Sequence, residues 1–134
     1  MAASRLRRSR LVALLSALWD DGDVPGFALS PEMSEVGLGI VREFARTARE
    51  SGASFVVVHL PRREELLEIQ AGRPPWHQAF LDEIAAEVEL VRPETGFGPI
   101  ADGDFRPRGH YGPRLHERVA EALVEPIRRA TFTR

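Results

Sequence analysis

The run SFVVVHL, residues 54–60, constrains the fold more than any other part of the chain. It holds four consecutive β-formers with no polar alternation, the pattern of a strand buried on both faces. Pro61 ends it. Upstream, Ser30-Pro31-Glu32 reads as a helix start: a cap, a proline at the first position and an acid in the first turn. Val36, Ile40, Phe44 and Ala48 then recur every fourth residue and predict one buried helix face, with a stop near Gly52. Gly37 and Gly39 in this helix would permit close packing on a sheet. Helix, glycine, apolar strand and helix is the grammar of a parallel α/β sheet.

Downstream, residues 62–70 predict a short helix, broken by Gly72-Arg73-Pro74-Pro75. A second helix is expected over about 76–87, with Phe80, Leu81, Ile84 and Ala85 apolar. A second, short strand is expected at 88–91, followed by a loop over 93–100. Residues 55–60 should pair in parallel with 88–91, with helices on both faces and a right-handed crossover between the strands. His59, near the strand's C-terminal end, sits where such sheets bind ligands, but a role within the scaffold is the expectation for it. Trp76 and His77 stand where they would line a pocket.

Residues 5–19, RLRRSRLVALLSALW, set four arginines in and before a short apolar run. The run is well short of the ~20 residues that span a bilayer. Leu6, Leu11, Leu14, Leu15 and Leu18 fit a helix with one apolar face, favoured over a targeting segment. The turn-rich DDGDVPGFAL follows, so residues 1–29 form a peripheral helix and loop ahead of a single domain. The chain's 134 residues suit one core, and its net charge of −2 gives no overall basic field for nucleic acid. No cysteine is present, which removes disulfides, a thiol nucleophile and cysteine-ligated zinc, and fits the cytosol and the periplasm alike. Nothing in the sequence calls for a cofactor.

The stretch DGDFRPRGHYGPRLHERVAEAL, residues 102–123, concentrates the candidate chemistry. Pro113 opens a helix whose apolar face is Leu115, Val119, Ala122 and Leu123. That helix should kink or end near Pro126, leaving Arg128, Arg129 and Arg134 as a solvated tail. His110 lies just before the helix. The positive end of a helix dipole favours a neutral imidazole, the form a general base needs. Asp102 and Asp104 supply nearby carboxylates. A metal site of Asp102, Asp104, His110 and His116 is disfavoured, because the two histidines do not have a recognised ligand spacing.

GHYGPRLHERVAEAL resembles the last conserved block of the SGNH (GDSL-type) hydrolases, in the form G-H-Y-S-P-x-G-N-x-x-V-A-x-x-L. Gly109, His110, Tyr111, Pro113, Val119, Ala120 and Leu123 match without a gap. GASFVVVHLPRREEL resembles the strand and loop that precede that block. The resemblance implies a three-layer, flavodoxin-like parallel sheet, incomplete in this chain, and serine esterase or acyl-transfer chemistry on an acyl-ester substrate. His110 would be the general base that takes the proton of a serine. The family places its acid two or three residues before the histidine, where this chain has Arg108 and Pro107. Asp104 stands in as the orienting acid, with Asp102 second and an acid-free dyad third. No Gly-Asp-Ser nucleophile block is present, so the chain resembles the C-terminal half of such an enzyme and by itself should be inactive.

Two predicted strands do not make a stable sheet, and a strand buried on both faces needs a neighbour on each side. The partner is then a missing N-terminal half or another copy joined through the sheet edge. The alternative to the half-enzyme is a non-enzymatic α/β interaction module that pairs through that edge.

Overall fold

The computed structural model describes residues 30–132. Helix α1 (Pro31–Glu50) begins where the sequence signals it: Ser30 Oγ accepts the Met33 N–H at 3.2 Å. Strand β1 (Val56–Val58), helix α2 (Arg63–Gln70), helix α3 (Gln78–Glu87) and strand β2 (Glu89–Val91) follow. Three short 3₁₀ turns, Pro93–Gly96, Asp102–Asp104 and Pro107–Gly109, lead into helix α4 (Pro113–Phe132). The peripheral helix expected within residues 1–29 lies outside the described residues.

The two strands pair in parallel, with Val56 opposite Glu89, Val57 opposite Leu90 and Val58 opposite Val91. His59 extends the ladder by donating its N–H to Val91 O at 3.0 Å. The parallel pairing is the one the sequence implies. The three-layer flavodoxin-like sheet is not: among the described residues the sheet has two strands, and the fold is mostly helical. The physical reason lies in where the apolar residues fall. Within 31–50, 63–70, 78–87 and 113–132 they recur at helical spacing, so those segments build helices rather than further strands. Val56, Val57 and Val58 are consequently half-buried instead of enclosed on both faces.

Among the described residues the buried side chains pack in two groups. Leu66 of α2, Phe97 and Leu115 of α4 form the tightest, flanked by Ile100, Phe105, Tyr111 and Val119. The second joins α1 to α3, through buried Leu38 and Ala45 on one side and Leu81 and Ile84 on the other. Gly37 makes the approach possible, since a Cβ there would come within 2.7 Å of the Phe80 ring. Gly37 thus serves helix-on-helix packing and not the helix-on-sheet packing expected of it. Gly39 faces open space.

Two further expectations are corrected. The Val36–Ile40–Phe44 stripe of α1 is exposed, and the helix buries the opposite side at Leu38 and Ala45. Helix α4 does not stop at Pro126. It carries the proline inside, on the buried side that continues from Leu115 and Val119. Arg128 and Arg129 of its last turns are exposed, as expected, although Arg129 also reaches Glu89 at the start of β2, and Arg134 lies outside the described residues.

Candidate functional site

Asp104 and His110 lie on the loop that precedes α4, and the loop's folding separates their side chains. Gly112 N donates to Asp104 O at 2.6 Å, and Arg106 N donates to His110 O at 2.7 Å. Gly112 is required here: a Cβ would stand 2.7 Å from the Asp104 carbonyl oxygen. The backbone is thereby drawn tight, but the Asp104 carboxylate turns the other way. It accepts from both Nε and Nη2 of Arg114 and from the Ala101 N–H. Those bonds hold Asp104 well below the usual carboxylate range, at about 2. Arg114 in turn donates to Phe97 O and Pro99 O, so the pair ties α4 to the loop after β2. His110 is exposed, and no side chain among the described residues bonds its ring. Asp102 is also exposed and pairs with Arg63. His116 stacks edge-on to Tyr111. The structure therefore brings neither acid to His110.

The polar groups that do converge lie at the C-terminal ends of the two strands, the usual ligand-binding end of a parallel sheet. His59 follows β1 directly. Glu94 follows β2, carried inward by the 3₁₀ turn that Pro93 starts. Glu65 comes from the first turn of α2, next to buried Leu66. His77 is the residue before α3. These four form a chain of contacts. Glu94 Oε1 lies 2.9 Å from His59 Nδ1, and His59 Nε2 lies 3.1 Å from His77 Nε2. His77 Nδ1 lies 3.3 Å from Glu65 Oε1. This last contact is out of line for a hydrogen bond, which leaves both of its atoms buried without a partner. Glu94 Oε2 is likewise unpartnered.

The surroundings close the site. Arg92 donates to Glu94 at 2.7 Å and to Gln78 at 3.1 Å. The exposed Trp76 ring sits edge-on against His77, with centroids 4.8 Å apart. Tyr111 OH donates to Pro61 O at 2.6 Å and fastens the loop before α4 to the end of β1. Burial raises the proton affinity of Glu94, but the hydrogen bonds from His59 and Arg92 outweigh it and hold the carboxyl below its ordinary value. Burial depresses the His77 imidazole, and the neighbouring Glu65 opposes this only in part. Burial, then the charges of Glu94 and Glu65, push the Tyr111 phenol far up.

Sequence reasoning singled out His59 and His77 separately and missed Glu65 and Glu94. One signal was available: all four flank the C-terminal ends of the strands or the starts of the connecting helices. No family model matches the chain, and no curated protein or solved structure matches it either.

Proposed function

We propose that this chain is an interaction module that completes its sheet with a strand from a second copy of itself. The observation that carries the reading is the outer edge of β1. His59 N–H points to β2, so by the alternation of the ladder Val56 and Val58 turn their N–H groups the other way. Among the described residues nothing pairs with that edge. Such an edge is a template for another strand. The incoming strand must be apolar on both faces to lie beside three valines, and β1 itself has that character. A two-fold pairing would set β1 antiparallel to its copy and give a four-stranded sheet, enough for independent stability. The exposed Val36, Ile40 and Phe44 lie nearby, since the Phe44 ring stacks on Phe55 just ahead of β1 with centroids 6.3 Å apart.

Sedimentation velocity on the full chain tests this. A concentration-dependent dimer is expected, and Val56→Pro should yield a monomer with an unchanged circular dichroism spectrum. Proline is tolerated at the first residue of an edge strand, and here it removes only an outward N–H. A wild-type chain that stays monomeric, or a Val56→Pro chain that still dimerises, would refute the reading.

A second reading, acyl-ester hydrolysis with His110 as general base, is favoured by the ring's exposure and, among the described residues, its freedom from side-chain partners. It requires a serine from elsewhere and an acid other than Asp104, whose carboxylate is occupied by Arg114. Ester hydrolysis that survives His110→Ala would exclude it.

A further inference from the structure

Counting protons in the chain Glu94–His59–His77–Glu65, whose first two members are buried and last two partly so, exposes a deficit. There are three contacts, at 2.9, 3.1 and 3.3 Å, and two neutral imidazoles supply only two N–H groups. If both histidines turn Nδ1–H toward their carboxylates, the two Nε2 lone pairs face each other. If His77 instead donates from Nε2, its bare Nδ1 faces the Glu65 carboxylate. Either way one contact sets lone pair against lone pair in a buried setting, where an unpaired polar atom is costly. Among the described residues Arg92 is the only cation in contact, so two carboxylates leave the cluster one negative charge in surplus.

We propose that His59 Nε2, His77 Nε2 and the Glu65 carboxylate bind a divalent transition-metal ion of the zinc type, with Glu94 orienting His59. One ligand atom from each of the three residues lies within 4.8 Å of the others. The two Nε2 atoms, 3.1 Å apart, would subtend roughly 100° at an ion bound at the usual ~2.0–2.1 Å, near the tetrahedral value. The 2.9 Å contact from His59 Nδ1 to Glu94 is the carboxylate–histidine–metal arrangement that fixes the tautomer and leaves Nε2 bare. The buried Glu65 Oε1 has no hydrogen bond to give up in turning from its misaligned contact toward the ion. Two imidazoles and one carboxylate form a three-ligand set that leaves the fourth position for water. The ion supplies the missing positive charge and removes the lone-pair conflict.

The test uses the full chain without an affinity tag, stripped with a chelator and titrated with Co²⁺. One equivalent should bind, with the intense visible absorption of a four-coordinate ion, and Zn²⁺ should displace it. Glu65→Gln and His77→Gln should each weaken binding by at least about 100-fold, and Glu94→Gln by about 10- to 100-fold, as outer-shell partners do. His110→Ala should change nothing. ¹⁵N spectra should show both Nε2 resonances moving on titration while His59 Nδ1 remains protonated. No Co²⁺ uptake by apo chain with a native circular dichroism spectrum would overturn the proposal. So would an affinity unchanged in a folded Glu65→Gln chain. Protonated Nε2 atoms that no ion displaces would show that a proton fills the deficit, which also overturns it.

Discussion

Asp104 and His110 are six positions apart and take opposite roles. The aspartate is buried and bonded from two sides, while the imidazole projects into solvent. Asp104→Asn should therefore lower stability measurably, since it weakens a charge-assisted pair that holds α4 to the loop after β2. His110→Ala should stay within about 0.5 kcal/mol of wild type, as surface substitutions do. Urea unfolding of both variants checks this pair of outcomes. The pH dependence follows from the sign of the shift. The Asp104 carboxyl titrates at about 2 in the folded chain, below its value in the unfolded chain. Its contribution is thus fully present above the ordinary carboxylate range and is lost as pH falls toward 2. Thermal melts between pH 5 and pH 2 should show a shallower decline in Asp104→Asn than in wild type.

Helix α1 shows what an element's apolar pattern can hide. It carries two apolar faces, one with Leu38 and Ala45 against α3 and the other with Val36, Ile40 and Phe44 in solvent. The two glycines divide between them. Gly39 meets nothing, so Gly39→Ala should stabilise by up to about 1 kcal/mol through helix propensity alone. Gly37→Ala should gain distinctly less, because its methyl would press on Phe80. Equal gains in the two melts would mean that α1 and α3 do not pack as described. In α4, Leu115 has no exposed surface, and Leu115→Ala should cost about 2–5 kcal/mol.

At the scale of the molecule, the sheet has two strands among the described residues and leaves one edge of β1 open. Association through β1 would make the melting temperature rise with protein concentration, because a partner bound only by the folded chain adds to stability by mass action. Wild type should show that rise and Val56→Pro should not. A melting temperature independent of concentration in wild type would count against self-association.

Local physics made much of the chain legible from its residues. Ser30-Pro31 and Pro113 begin helices, the valine run forms a strand that ends at Val58, with His59 and Leu60 between it and Pro61, and the helices between the strands imply their parallel pairing. The helix starts and the strand are settled by spacing or by backbone chemistry within a few residues, and the pairing by the order of those elements. Three matters were decided only in three dimensions. Periodicity shows that Val36, Ile40 and Phe44 share a face, but the packing of Gly37 on Phe80 determines that this face points outward. Sequence proximity suggested Asp104 for His110, but Arg114, ten residues on, competes for the same carboxylate and wins with two donors. His59, Glu65, His77 and Glu94 span 35 positions with no motif spacing. They meet because a parallel crossover returns the chain to the same end of the sheet, a long-range consequence that no local pattern encodes.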